Sequence, residues 1–580
     1  MSARRPDIYE FGEFRLESDK RLLFRGGNPV ALTPKVFDTL LQLLLHHGKI
    51  LAKDDLMRAV WPDTVVEENN LDQNISTLRR VLGEKRGENR YIATIPGKGY
   101  HFVPAVEITA RAQLTQGRVT LAVLPFDNLG TDPDREYLAD GLTEEVIASL
   151  GQIDPNHLSV IGRTTVMAYK RTRKSLAEIG CELDATYLVE SSIRCEGGRV
   201  RVTSRLIRVT DQVQLWSTFF DSEPGSILEF QRQISAAVGE RVRLQLSPER
   251  LSAIARRQTR DAEAYDLYLR GRYFWNQLSP NTTRRASEFF ARATELDPQY
   301  ALAWSGLADA YTASPINGDA PPLKVGPPAR DAAAHAFNAD PQLAEAQTSL
   351  GFVKFWLDWD WPAAEAAFRR AIDLDPNYPL AHRLLGIVLA HMRRYEEAGH
   401  AICRARELDP LLAGHHALSS QIAFMSRNYT AALQFAKQAI TIDSEFWIGH
   451  MQLGQAYEQL AEPQLALHAL NDAVRLSGGN SKPLALRGYV LARNARPDEA
   501  HAVLEMLRSV ARERYVPPYA PALIHLGLDH HDEAFDCLGR AFEMRDVHLA
   551  FLPNDVKWDP VRANPRFTAI VERCGFVPAE

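Results

Sequence analysis

The chain has 580 residues, is 45% hydrophobic and 24% charged, and carries a formal net charge of −6. That length exceeds what one core can organise, so several domains are expected. The balance excludes a largely disordered chain and a wholesale polycation, so any nucleic-acid face must be local.

Cys181, Cys195, Cys403, Cys537 and Cys574 are scattered and form no C-x-x-C. Neither a zinc ribbon nor a disulfide framework is indicated, and a reducing cytoplasm fits. The opening MSARRPDIYEFGEF has no apolar stretch of the signal-peptide kind. Apolar runs such as Leu40 to Leu45 fall far short of the roughly 20 residues a membrane span needs. A soluble cytoplasmic protein without a membrane partner is expected.

Tyr9 to Leu16 and Arg21 to Leu32 read as short strands around Gly26-Gly27-Asn28-Pro29. Thr33-Pro34 then opens a helix, with Thr as N-cap and Pro at the first helical position. Val36, Phe37, Leu40, Leu41, Leu44 and Leu45 give it an apolar face, and Gly48 ends it. A second helix runs from Lys53 to Val60. The loop Asp63-Thr64-Val65-Val66 leads to a third, from about Glu67 to Leu82, with Leu71, Ile75, Leu78 and Leu82 as its buried stripe.

YIATIPGKGYHF, residues 91 to 102, follows. Its Gly-Lys step invites comparison with the nucleotide-binding G-x-x-x-x-G-K-[ST] loop, but Ile92 stands where the first glycine should be and Gly99 where the hydroxyl should be. A β-hairpin turning at Pro96-Gly97-Lys98-Gly99 fits better, because Pro pre-sets one turn dihedral and Gly supplies positive φ.

On a helical wheel Asn69, Gln73, Ser76, Thr77 and Arg80 lie opposite the apolar stripe, with Asn70, Asn74 and Arg79 on its flanks. Asn and Gln can pair with adenine, and Arg79 and Arg80 can reach phosphate or guanine. Over residues 68–100, Lys and Arg number six against four acids.

The sequence LTPKVFDTLLQLLLHHGKILAKDDLMRAVWP, then VEENNLDQNISTLRRVLGE, then YIATIPGKGYHF resembles the winged helix-turn-helix domain of OmpR/PhoB-type transcriptional regulators. The resemblance covers about residues 8 to 104. It implies binding to double-stranded DNA, with Asn69, Asn70, Gln73, Asn74, Ser76, Thr77, Arg79, Arg80, Thr94 and Lys98 as the contacts. It also implies a possible homodimer on DNA. The chain departs from the family pattern where mid-helix basic residues are replaced by Asn74, Ser76 and Thr77. Pro96 stands where an Arg often precedes the wing glycine. Fewer charges mean a weaker salt-dependent term. Trp61 reads as a packing residue, and His46 and His47 as helix-end residues.

Residues 119–245 alternate strand and helix. VTLAVLPFDNL and HLSVIGRT read as strands, and Leu138 to Leu150 as an amphipathic helix. A helix at Lys174 to Leu183 precedes three strands in ATYLVESSIRCEGG, RVRVTSRLIRVTD and VQLWSTFFD, and a helix at Ile227 to Leu246 closes the module. This is an α/β sandwich. AVLPFDN, DGLTEEVIASL, YLVESSIR and LWSTFFD resemble the TolB N-terminal-like module, which accompanies bacterial regulators and some nucleotide cyclases. Asp127 and Asp140 read as strand-end and N-cap residues, and Arg163 as a weak candidate for an anion.

From residue 262 the chain repeats. Asp297-Pro298, Asp340-Pro341, Asp375-Pro376, Asp409-Pro410 and Asp443-Ser444 recur at intervals of 43, 35, 34 and 34. A 34-residue period with Gly306, Gly351, Gly386, Gly454 and Gly488 in step is the tetratricopeptide signature. Seven or eight helix pairs are expected. The proline-rich stretch at 312–330 is expected to be a loop, and the aromatic cluster Phe355 to Trp361 to be packing. Such a solenoid offers a concave surface to a protein or peptide.

The fold class is therefore multidomain: a winged helix (α+β), an α/β sandwich and an all-α tetratricopeptide solenoid. The expected boundaries are 1–106, a linker at 107–118, 119–247, a linker helix at 248–261, 262–545, and a C-terminal cap at 546–580. The order resembles CadC-like regulators without a membrane span. No catalytic, metal or cofactor constellation is read from the sequence. The function expected is a soluble one-chain transcription regulator whose repeats receive a signal. The alternative is a scaffold whose winged helix has become a protein-interaction domain.

Overall fold

A computed structural model describes residues 7–576 apart from 19–21, 26–27, 31, 62–67, 85–87, 111–118, 131–134, 156, 197–198, 223–232, 235, 239, 243–258, 260, 278–279 and 319. The loop expected at 63–66, the glycine turn at 26–27, most of the linker helix at 248–261 and parts of the helix expected at 227–246 lie outside the described residues. The chain divides into two compact units, Met1–Arg118 and Val119–Glu580.

In the first unit β1 (Asp7–Phe11), β2 (Phe14–Glu17), β3 (Leu22–Arg25) and β4 (Asn28–Val30) form an antiparallel meander. Pro29 is accommodated because β4 is an edge strand. Then come α1 (Pro34–Leu45), β5 (Ile50–Leu51), α2 (Lys53–Val60), α3 (Glu68–Val81), β6 (Ile92–Ile95) and β7 (Gly99–Phe102). Thr33 holds the N-cap position of α1, but its hydroxyl makes no capping bond.

Residues 107–118, expected to be a linker, begin instead with β8 (Glu107–Ala110), which pairs antiparallel with β1. Phe11, Phe14, Tyr91 and Phe102 tie the meander to the hairpin. Phe11 meets Phe102 edge-on at 5.1 Å, and Phe14 meets Tyr91 at 5.6 Å. Such pairs contribute about 0.5–1.5 kcal/mol each beyond the area they bury.

The second unit begins with β9 (Val119–Val123), β10 (Asp127–Asn128), α4 (Glu136–Ile153), β11 (Leu158–Val160), α5 (Arg163–Met167), α6 (Leu176–Glu182), β12 (Tyr187–Glu196), β13 (Arg199–Arg208) and β14 (Val213–Ser222). The sheet order is β11-β9-β12-β13-β14, with β10 beside β12. Leu121, Ala122 and Val123 are all fully buried because both faces of the parallel part are covered. Ser175 and Glu178 close a capping box at the start of α6. Helix α4 is buried nearly all round, not along one stripe as expected, because it lies between the sheet and the repeats.

Eight helical hairpins follow among the described residues. They are α7 (Ala262–Trp275) with α8 (Pro280–Leu296), α9 (Ala301–Ile316) with α10 (Pro322–Ala339), α11 (Ala344–Val353) with α12 (Trp361–Leu374), and α13 (Pro379–His391) with α14 (Tyr395–Leu408). Then come α15 (Ala413–Met425) with α16 (Tyr429–Ile442), α17 (Trp447–Gln459) with α18 (Pro463–Leu476), α19 (Ser481–Arg493) with α20 (Pro497–Val510), and α21 (Tyr519–Gly527) with α22 (His531–Glu543). The repeat is written into the backbone. Trp359, Arg393, Arg427, Ala461, Ala495 and Asp529, spaced 34 apart, each turn between paired helices at a φ of +55° to +66°.

The stretch at 312–330 is not the expected loop. Helix α9 runs to Ile316, and α10 starts at Pro322, where a missing N–H costs nothing. Pro327 and Pro328 each forfeit a helical bond, but Val325, Ala329, Ala332, Ala333 and Ala336 behind them are buried and outweigh it.

First helices of successive hairpins pack on one another more closely than second helices do, so the solenoid curves towards them. That inner face is not open over its second half. Short 3₁₀ turns at Val547–Phe551 and Val556–Val561 lie against it, before α23 (Pro565–Arg573). Phe551 sits 5.2 Å from His391, the Asn554 amide donates to the His391 carbonyl (2.7 Å), and Lys557 Nζ donates to Gln455 (2.9 Å). The aromatic cluster is packing, as expected: Trp361 stacks on Phe576 at 4.6 Å, and Arg545 covers Trp359 at 3.9 Å.

The α/β module docks on the repeats. A Cβ at Gly141 of α4 would lie 2.8 Å from Leu269 of α7. Glu144 accepts from Arg272 and Asn276 and pairs with Arg163 (3.4 Å), so the anion facing Arg163 is the chain's own. Asp140 is no N-cap: it lies inside α4 and pairs with Lys170 at 2.5 Å. The Asn377 amide donates to the carbonyls of Gly151 (3.0 Å) and Leu158 (2.9 Å).

Candidate nucleic-acid interface

Helix α3 and the β6–β7 hairpin make up the candidate interface. Leu71, Ile75 and Leu78 are fully buried, which fixes the opposite side of α3 outward. Asn69, Asn70, Gln73, Ser76 and Arg80 are exposed. Positions 69, 73, 76 and 80 advance by four, three and four, so they form one row along the helix. Thr77 beside them is half-buried.

Three residues of the expected contact set, Asn74, Arg79 and Thr94, are engaged inside the domain. The Asn74 amide donates to the Lys35 carbonyl (3.2 Å) and to the Thr39 hydroxyl (3.0 Å), both on α1. The Arg79 guanidinium donates to the Ile92 carbonyl (2.8 Å) and to the Thr94 hydroxyl (2.8 Å). Asn74 thus sets the angle between α1 and α3, and Arg79 fastens the hairpin to α3.

Four further residues, Tyr100, Asp72, Lys53 and Glu84, do the same work and were not singled out from the sequence. Tyr100 donates to the Asp72 carboxylate at 2.6 Å, and Lys53 donates to it at 3.3 Å. The tyrosine bond, with Lys53 nearby, holds the Asp72 carboxyl below the usual range. Burial and that same bond push the Tyr100 hydroxyl up to about 12. The Glu84 carboxylate accepts from the amides of Tyr91 (3.4 Å) and Ile92 (3.2 Å), anchoring the base of the hairpin. Helical spacing gives no signal for such partners, which lie 7 to 28 residues away.

The hairpin turns as expected. Lys98 N–H donates to the Ile95 carbonyl (3.0 Å) across Pro96 and Gly97, and Gly97 has φ +71°. Pro followed by a positive-φ Gly is the type II pattern. Gly99 has φ +129°, and a Cβ there would lie 1.9 Å from the Leu51 carbonyl oxygen. Only glycine lets β7 approach β5. Thr94, Pro96, Gly97 and Lys98 project into solvent. Arg80 and Lys98 have no partner among the described residues.

The surface therefore offers amides and hydroxyls in a row, with a free cation at the end of the helix and another on the hairpin tip. Amides can read base edges in a groove, and cations can neutralise phosphates. Trp61 packs against the core with Lys35 Nζ 5.8 Å from its ring, and His46 and His47 bond carbonyls at the end of α1. No group of three His, Cys, Asp or Glu able to hold a metal occurs among the described residues. No helix among them is long and apolar enough to cross a membrane.

Comparison with known proteins gives three family matches. Residues 27–102 match "Transcriptional regulatory protein, C terminal", 117–237 match "HilA/YgeH-like transcriptional regulator, second domain", and 360–413 match "Tetratricopeptide repeat". The chain is 31% identical over 283 residues to "Putative adenylate cyclase 3" of Rhizobium meliloti (strain 1021), covering 49% of this chain and 42% of that protein. It is 26% identical over 409 residues to "Transcriptional regulator HilA" of Salmonella typhi, covering 70% of this chain and 71% of that protein. Among solved structures, the DNA-binding domain of E. coli CadC is 30% identical and is covered completely by 18% of this chain, with a TM-score of 0.17.

Proposed function

We propose that this chain, which carries the winged helix of OmpR/PhoB-type regulators, a HilA-like second domain and tetratricopeptide repeats, regulates transcription by binding promoter DNA through the outer row of α3 and the wing. The observation that carries this reading is the exposed row Asn69, Gln73, Ser76 and Arg80 on a helix whose seating against α1 and the hairpin is fixed by internal bonds. Asn69, Asn70, Gln73 and Ser76 read base edges from the major groove, with Thr77 at the margin. Arg80, Lys98 and Thr94 meet phosphates. Asn74 and Arg79 are positioning residues.

The chain works in the cytoplasm and is not an enzyme. Of the acids in its α/β module, Asp140 is engaged by Lys170 and Glu144 by Arg272 and Arg163. The repeats receive a protein or peptide signal. Because chain segments already cover much of their inner face, the partner uses surfaces outside it. The module, bonded to the turns between repeats, passes the signal on.

The test separates base from phosphate contacts. Lys98→Ala should weaken binding to all sequences alike and lower the salt slope by about 1. Gln73→Ala should relax preference at one or two base pairs and leave the slope unchanged. If neither variant alters binding, the winged helix serves a scaffold.

A further inference from the structure

The sheet of the α/β module has two edges that are treated differently. At one, β11 is three residues long, and its Leu158 carbonyl accepts from Asn377 of the repeats. At the other, β14 is ten residues long and pairs with β13 on one side only, meeting no strand on its other side among the described residues. Its register shifts opposite Leu206 and Ile207, and from Trp216 to Ser222 it runs regularly.

Proteins guard such edges with charges, prolines or short strands. Residues 212–220 contain no charge and no proline. Phe219 is 69% exposed, more than any other large hydrophobic side chain among the described residues. Asp221 is turned back onto its own sheet, 2.5 Å from Arg201 and 3.4 Å from Arg199.

We infer that β14 is a homodimer interface, pairing antiparallel with β14 of a second copy to make one continuous sheet. The strand is complementary to itself. With Phe219 on the two-fold axis, Thr218 lies opposite Phe220, Ser217 opposite Asp221, and Trp216 opposite Ser222. No like charges meet, and the two exposed phenylalanines cover each other as a cross-strand pair. The assembly closes at two copies, because the interface is isologous and the other edge is engaged by the repeats. The interface needs no DNA, so it stands or falls separately from the DNA-binding reading.

The experiment is sedimentation equilibrium of the full chain, without DNA, across a concentration series into the micromolar range. Wild type should reach twice its 65.1 kDa mass. Phe219→Lys should stay at one chain mass and melt where dilute, monomeric wild type melts, since the side chain is exposed. Ser217→Lys is the second variant should the first melt early. Hydrogen exchange at amides 216–222 should slow as wild type becomes more concentrated. A wild type that stays monomeric overturns the inference. So does a folded variant that still dimerises, or exchange at 216–222 that ignores concentration.

Discussion

Asp409 tests whether the repeats hold the α/β module or merely lie near it. In four repeats the Asp of the inter-repeat turn accepts from the amide two residues on: Asp297 from Gln299, Asp340 from Gln342, Asp375 from Asn377 and Asp443 from Glu445. Asp409 instead accepts from the amide (2.8 Å) and hydroxyl (2.6 Å) of Thr165 and from the Thr164 amide (3.3 Å), while Leu411 N–H goes to the Thr165 hydroxyl. Asp409→Ala leaves the buried Thr165 amide and hydroxyl without an acceptor, at about 1–3 kcal/mol each. Some of that returns, because burial already pushes the Asp409 carboxyl above its usual range. The net loss should be about 2–4 kcal/mol. Asp340→Ala removes only a local turn bond and should lose about 0.5–1.5 kcal/mol. Denaturant unfolding of both variants, with limited proteolysis of the module, reads the difference. Equal losses, with the module equally protected in both, would refute the docking argument.

Gly99→Ala should destabilise the first unit and weaken DNA binding together, because β7 must retreat from β5; melting and binding curves on the variant check this. Asn74→Ala and Arg79→Ala should lower the melting midpoint of the winged helix while leaving base preference intact, which selection from a random DNA pool would reveal. Asp309 gives a pH dependence. Burial pushes its carboxyl from 3.8 to about 7, so the folded chain keeps a proton that the unfolded chain releases. Its contribution is fully present below the unfolded value and is lost as pH rises towards 7. Asp309→Asn should flatten that fall and melt later than wild type above pH 7, read from melting midpoints across pH.

Much of the architecture was legible because it rests on local patterns. The apolar stripe of α3, the Pro-Gly turn of the wing and the 34-residue period each follow from spacing alone. Elements without a period were missed: β5 has two residues and α5 has five. Prolines misled at α10, where packing overrides propensity. The interface was legible as a face but not as a set of free side chains. A helical wheel gives direction, whereas Asn74 finds its partners on α1, 35 and 39 residues back. The filled inner face of the repeats was invisible for the same reason, since Lys557 meets Gln455 from 102 residues away.

The measurement that bears most directly on the account is binding of the full chain to the DNA upstream of its own gene, against a shuffled fragment, over a salt series. The account predicts a preference for the natural fragment, with affinity falling as salt rises, and loss of both in the Arg80→Ala, Lys98→Ala double variant with its fold unchanged. Equal binding to both fragments, or a double variant that binds like wild type, would contradict it.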